Sequence, residues 1–177
     1  MKFIKTKIEG VWLMEPIVHR DGRGFFLEFY EESLFRKHGI RLRFVQDNHS
    51  ASTKGVLRGL HYQTAPHAQA KLIRVIRGSA FDVVVDLRKN SKTFGWYVSQ
   101  VLSAENKKML FVPEGFAHGF LALEDGTEFL YKCSDFYHPR CERGLRWDDP
   151  NVKIRWPKIK GGYLLSDRDK RHPFLNS

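Results

Sequence analysis

The chain has 177 residues, with 30 Lys and Arg against 20 Asp and Glu, for a formal net charge of +10. The excess favours an anionic partner, but the basic residues are scattered, with no run of five and no nucleic-acid motif, which places a phosphorylated small molecule ahead of nucleic acid. No apolar stretch approaches the roughly 20 residues that cross a bilayer, and the first residues alternate like a strand instead of forming a signal peptide.

In chain order, Gly10 to Val18 reads as a strand interrupted by Pro16. The stretch from His19 to Gly24 is a turn, because Asp-Gly and a second glycine supply the positive φ of a tight reversal. Phe25 to Tyr30 then returns as a strand. Glu31 to His38 is the one convincing helix, acidic at its start, basic at its end and stopped by Gly39. From there the pattern is strand after strand: Phe44–Ser52, Val56–Gln63, Ala70–Arg77, Ala80–Leu87, Gly95–Leu102, Lys108–Val112, Gly115–Leu123 and Thr127–Phe136. These segments are short, rich in Val, Ile, Phe and Tyr, and punctuated by Gly, Asn and Pro, which predicts an all-β sandwich or barrel in one domain spanning residues 1–177. The run Phe81–Arg88 is apolar enough to be central in a sheet. After Tyr137 the chain turns irregular, and a short segment around Ser166–Lys170 predicts a helical turn packed on the barrel. Cys133 and Cys141 lack metal-type spacing and read as buried or half-buried thiols in a reducing cytoplasm.

Chemistry concentrates between Gly55 and Lys71. Arg58, Lys71, His61, Gln63 and Gln69 crowd into two strands whose core faces should be apolar, so the pair is expected to line a polar cavity. A second dense stretch, Val112–Phe120, adds His118. A metal site is the first idea to weigh, but the His-X-His pair of metal-binding barrels is replaced by His61-Tyr62-Gln63, and Lys71 is a repelling neighbour. Acid–base chemistry fits better. Removing a proton beside a carbonyl needs a base, a cation for the developing enolate and an acid to return the proton. His61 can be the base and Lys71 the cation, placed on neighbouring strands, while Asp169 can orient the imidazole. Alternation along the strand from Thr127 puts Tyr131, Cys133, Asp135 and Tyr137 on one face, where Tyr131 can be the acid. Taken singly, each has a plainer role: a structural histidine, core tyrosines, a solvated aspartate.

An ordered set of motifs joins these residues. Arg20-Asp-Gly-Arg-Gly-Phe25, Val45-Gln-Asp-Asn48, Leu57-Arg-Gly-Leu-His-Tyr-Gln63, Gln69-Ala-Lys-Leu72, Phe81–Arg88, Pro113-Glu-Gly-Phe-Ala-His-Gly-Phe120, Tyr131-Lys132, Trp147-Asp-Asp-Pro150 and Leu165-Ser166 with Asp169 together resemble the dTDP-4-dehydrorhamnose 3,5-epimerase family. The resemblance spans nearly the whole chain. It implies a cupin-like jelly-roll barrel with a few short helices, working as a cytoplasmic homodimer on a dTDP-sugar with no metal or cofactor and no nucleic-acid or membrane partner. It implies His61 as base with Asp169, Tyr131 as acid and Lys71 as enolate stabiliser. Substrate contacts are expected at Arg23, Glu28, Gln46, Asp47, Asn48, Arg58, Lys71, His118, Glu142 and Arg168, the last standing where lysine is frequent. Tyr137 is expected either beside the sugar or in the core. Rival expectations are an epimerase of carbon 3 alone, a sugar-nucleotide binder without turnover, and a metal-dependent barrel enzyme.

Overall fold

The computed structural model describes residues 1–175. Its strands are β1 (Lys2–Lys5), β2 (Trp12–Glu15), β3 (His19–Asp21), β4 (Gly24–Phe26), β5 (Gln46–Ser52), β6 (Leu57–Gln63), β7 (Lys71–Arg77), β8 (Ser79–Asp86), β9 (Tyr97–Ser103), β10 (Met109–Val112), β11 (Phe116–Ala122), β12 (Thr127–Cys133) and β13 (Glu142–Gly144). A single α-helix is described, α1 (Glu32–Lys37), capped by the Glu31 carboxylate on the Ser33 and Leu34 amides, and a 3₁₀ turn forms at Asp169–Arg171. The strands make a six-stranded sheet, β1-β2-β10-β7-β12-β5, facing a five-stranded sheet, β13-β6-β11-β8-β9, with β3-β4 as a separate hairpin. All named pairings are antiparallel, giving the jelly-roll barrel expected.

Period-two alternation sorts the residues. Leu13, Ile73, Val75, Leu110 and Phe129 of the first sheet meet Ala80, Val84, Val98, Leu102, Phe116 and Phe120 of the second, filling the barrel. Both outer faces are also covered. Met14, Leu72, Met109 and Phe111 pack under Phe35 of α1 and Ile40, while Leu60, Val83, Val85 and Ala117 pack under Leu145 and Val152. Burial on both faces explains why β8 is largely apolar, with three consecutive valines from Val83 to Val85. No helix among the described residues is long and apolar enough to cross a membrane.

Several boundaries differ from the sequence reading for local reasons. The first long strand stops at Glu15, before Pro16, whose ring removes a ladder donor. The strand expected over Phe25–Tyr30 ends at Phe26, because beyond the hairpin the chain leaves to carry Phe29 and Tyr30 onto the α1 cluster. Gly59 holds a positive φ of 112°, and a Cβ there would meet Gly119 Cα at 2.7 Å, so both positions require glycine where β6 and β11 touch.

At the end of β8, Asp86 is fully buried and accepts from the Arg88 guanidinium at 2.8 and 2.9 Å and from the Ser91 and Thr93 hydroxyls, each at 2.7 Å. Burial opposes its charge, but these bonds outweigh it and lower its pKa from 3.8 to about 2. The depressed value means stability present above the ordinary carboxylate pKa and lost as pH falls through the folded one. Asp86→Asn is expected to cost roughly 2 kcal/mol in urea unfolding at pH 7, with the difference from the parent shrinking as pH falls below 4.

Candidate active site

One end of the barrel interior is polar, and the strand register states why. In the six-stranded sheet Lys71 lies opposite Cys133, which lies opposite Gln46; one step further along, Tyr131 lies opposite Asn48. Partners across antiparallel strands share a face, so Lys71, Cys133, Gln46, Tyr131 and Asn48 all point inward with Ile73 and Phe129. In the facing sheet His61 pairs with both His118 and Gly144, and Gln63 pairs with Glu142, which turns His61, Gln63 and Glu142 toward the same space. The result is a pocket of about 270 Å³ lined by these residues together with Tyr62, Gln69 and Tyr137.

His61 Nε2 lies 2.6 Å from Asp169 Oδ1. Asp169 comes from the C-terminal segment, which Leu164 ties alongside β6 through hydrogen bonds with Gly55 and Leu57, and its amide is held by Ser166 Oγ. Burial works against the Asp169 charge, but the hydrogen bond and charge of His61 outweigh it and leave the carboxyl below its usual range. His172, one turn on, sits 3.4 Å from the same oxygen with its side chain only 9% exposed. Its ring lies over Gly144, where any Cβ would collide with it. His61 also borders a second opening lined by Arg58, Ser166 and Arg168, so both of its flanks are accessible.

The floor carries buried charge. Asp82 is fully buried, 2.8 Å from His118 Nε2, and its Oδ1 has no hydrogen-bond partner. Burial raises its pKa, opposed by His118 and Lys71. Burial draws the Lys71 ammonium below its usual range, against the charges of Cys133, Glu142 and Asp82. Tyr131 is raised by burial, so its phenol carries its proton at neutral pH. At the rim Glu142 accepts from the Tyr137 hydroxyl and from Arg168 Nη2, each at 2.5 Å, bonds that keep its carboxyl low although burial opposes them.

Comparison with known proteins places this geometry. Residues 5–177 match the family described as dTDP-4-dehydrorhamnose 3,5-epimerase. The chain belongs to that family. A dTDP-4-dehydrorhamnose 3,5-epimerase of Shigella flexneri is 54% identical over 170 residues, covering 96% of this chain and 93% of that one. A Legionella pneumophila epimerase solved with dTDP-4-keto-L-rhamnose is similar with a TM-score of 0.94 and 44% identity, over 98% of this chain and 92% of that one. A 3'-monoepimerase of Streptomyces bikiniensis, solved with dTDP-quinovose, has a TM-score of 0.90 and 38% identity, over 96% and 85% of the two chains.

Within this epimerase-family chain, the residues expected from sequence distribute unevenly. His61, Lys71, Tyr131, Gln46, Asn48, Tyr137 and Glu142 line one pocket. Arg58, Arg168 and Asp169 line the adjoining opening. His61 and Lys71, expected on neighbouring strands, stand instead on opposed sheets, because the loop between β6 and β7 crosses from one sheet to the other. Tyr137 does not share the Tyr131 strand face: β12 ends at Cys133, and Tyr137 reaches the pocket from a loop, its amide held by Gln46 Oε1 at 2.9 Å. Asp47 has the opposite parity to Gln46 and Asn48, and pairs with Lys132 on the outer face at 2.9 Å. His118 lies beneath the pocket on Asp82. Arg23 is 91% exposed in the β3-β4 hairpin, bound to Asp21, and Glu28 is exposed beyond it; neither borders the pocket in this chain. Sequence reasoning missed Asp82 and His172. The signal for Asp82 was a carboxylate at the inward parity of an apolar strand.

The electrostatics of the floor can be read directly. An NMR titration of the Lys71 side chain should give a midpoint below 10.5, and Glu142→Gln should lower it further by removing a supporting negative charge.

Proposed function

We propose that the chain, as one epimerase domain over residues 1–177, inverts carbons 3 and 5 of dTDP-4-dehydro-6-deoxy-D-glucose to give dTDP-4-dehydro-L-rhamnose for dTDP-L-rhamnose synthesis. The observation that carries this reading is an imidazole and a phenol projecting from opposed sheets into one pocket that also holds an ammonium group. His61 takes the proton from a carbon beside the ketone, and the electron pair moves onto the ketone oxygen. Lys71 steadies that enolate oxygen, and Tyr131 returns a proton from the opposite face, so the centre inverts. Asp169 holds the imidazolium formed on His61, a role suited to a carboxylate that stays ionised. Carbons 3 and 5 both flank carbonyl carbon 4, so the same three groups serve each centre once solvent has taken the proton from His61 and returned one to Tyr131. The scheme uses side chains alone.

Arg58 and Arg168 supply cations for the diphosphate at the rim, where guanidinium forks match phosphate oxygens. Gln46, Asn48, Tyr137 and Glu142 contact the sugar or the base, and His118 acts by supporting the floor. Asp47 contributes through its backbone, since its side chain faces outward. Greater identity to a 3,5-epimerase (54%) than to a 3'-monoepimerase (38%) supports double inversion. Turnover of the 4-keto sugar nucleotide in D₂O is expected to place deuterium at carbons 3 and 5; label at carbon 3 alone would sink the double reaction. His61→Asn and Tyr131→Phe should each lower kcat by about 10²–10⁴ while leaving substrate affinity within a few fold.

We further propose a cytoplasmic homodimer in which the hairpin of one subunit completes the pocket of the other. Phe25 and Phe26 are exposed beside Arg23 on a two-stranded hairpin separate from both sheets, an apolar and cationic arm that stays largely exposed although the Lys107 ammonium lies 4.0 Å from the Phe25 ring. Arg23 and Glu28 then reach the substrate across the interface. Mixing Arg23→Ala with His61→Asn subunits should restore about a quarter of the parent activity, because half the chains form mixed dimers with one intact site each. If both residues act within one chain, the mixture stays inactive.

A further inference from the structure

Beside the pocket, two loops bring three metal-type donors together without any part in the scheme above. His67 lies in the loop joining β6 to β7; Asp135 and His138 lie in the loop joining β12 to β13. His67 Nδ1 is 2.9 Å from Asp135 Oδ2, and the rings of His67 and His138 stack with centroids 3.4 Å apart and planes 13° from parallel. One donor atom from each residue falls within 4.8 Å of the others. The backbones that carry them are fixed independently. The buried Gln63 side chain donates to the carbonyls of His67 (2.6 Å) and Phe136 (3.1 Å) and accepts from the His138 amide (2.7 Å), while Gln69 Nε2 donates to the Asp135 carbonyl at 2.7 Å. The two imidazoles are therefore not needed to hold the loops, and Asp135 spends only Oδ1 on the Phe136 amide, at 2.7 Å, leaving Oδ2 toward His67.

We propose that His67, Asp135 and His138 form a binding site for a late first-row divalent metal ion of the Zn²⁺ type. Two neutral imidazoles and a carboxylate are the donor set such ions prefer over Mg²⁺ or Ca²⁺, which select oxygen. Metal–ligand bonds of about 2.0–2.2 Å put tetrahedral donors roughly 3.3 Å apart, and the three donor atoms already lie within 4.8 Å of one another. In the metal-bound form, the ion takes the place of the proton between His67 and Asp135. The His67 and Asp135 side chains are 36% and 30% exposed, which leaves open positions for water ligands and a path of entry. The other group of three donors among the described residues, His61, Asp169 and His172, differs in both respects. Asp169 and His172 are 5% and 9% exposed, and His61 is committed to Asp169 at 2.6 Å. A metal on the first group would tie the loop bearing Tyr137 to the loop bearing His67, at the pocket mouth and clear of the base.

The test uses tag-free, chelator-treated full-length protein, titrated with Co²⁺ by visible absorption and with Zn²⁺ by calorimetry, without substrate, so that its outcome is independent of the epimerase reading. One ion per chain with micromolar affinity is expected, together with a rise in Tm on adding Zn²⁺. His67→Ala and His138→Ala, each confirmed folded by circular dichroism, should weaken binding at least tenfold and abolish the Tm rise, while His172→Gln should leave both unchanged. No binding below about 1 mM, or binding lost in His172→Gln and kept in the other two, overturns the proposal.

Discussion

A lysine ammonium inside a β-barrel is the constraint around which the polar end of this molecule is arranged. Lys71 occupies an inward position of β7, where its neighbours Ile73 and Val75 belong to the core. Moving an ammonium from water into such a place costs several kcal/mol unless charge is supplied nearby. The structure supplies it from the opposite sheet: Asp82 on β8 and Glu142 on β13 both favour the charged lysine. Asp82 is itself buried and would be untenable as an ion without His118 at 2.8 Å. Lys71, Asp82 and Glu142 thus form one electrostatic network, with His118 hydrogen-bonded to Asp82. Removing any one leaves a buried charge or a buried polar group exposed to the full cost of desolvation.

The proposed base is held by different means. His61 and Asp169 are 108 residues apart in sequence, and the link between them is the C-terminal segment, bonded through Leu164 to Gly55 and Leu57 on the edge of β6. Gly144 matters here by lacking a side chain. It sits opposite His61 in the ladder, and the space it leaves is filled by the His172 ring, which closes over Asp169 and limits water around the carboxylate. The segment that carries the orienting acid is therefore held by backbone bonds on one side and by ring packing on the other. Mobility of this tail would translate directly into mobility of the His61 ring.

Alternation and motif spacing encode where strands lie and which residues gather, and what they leave out has a common cause. Strand positions from Gln46 to Cys133 were legible because their apolar residues recur with period two and turns interrupt them. The grouping of His61, Lys71 and Tyr131 was legible from their motifs. Alternation carries no information about which sheet a strand joins, so β6 and β7 looked like neighbours when they face each other across the barrel. Tyr137 was assigned a strand face because the period was extended past Cys133, where Asp135 and Phe136 begin a loop fixed by Gln63 and Gln69. Asp47 was drawn in with its neighbours by motif alone, although parity puts its side chain outside with Lys132. Arg23 and Glu28 show the limit in another form: both lie away from the pocket of their own chain, and nothing in one chain's sequence says where their side chains act.

Opposed sheets offer something that a pair of adjacent strands does not. Side chains on neighbouring strands of one sheet approach a ligand from the same side, so a base and an acid placed there would return the proton to the face it left. The crossing of the β6–β7 loop puts His61 on one wall, and Lys71 and Tyr131 on the other. In the proposed scheme the keto sugar loses its proton to one wall, and the planar enolate so formed is protonated from the other, with the stabilising cation beside the acid. In that scheme the same placement also limits charge build-up, since the imidazolium and the transient phenolate form on separate walls. Each has its own neighbour, Asp169 for the first and the Arg58 charge for the second. Inversion at two carbons then asks only that the sugar present each in turn to an arrangement that stays in place.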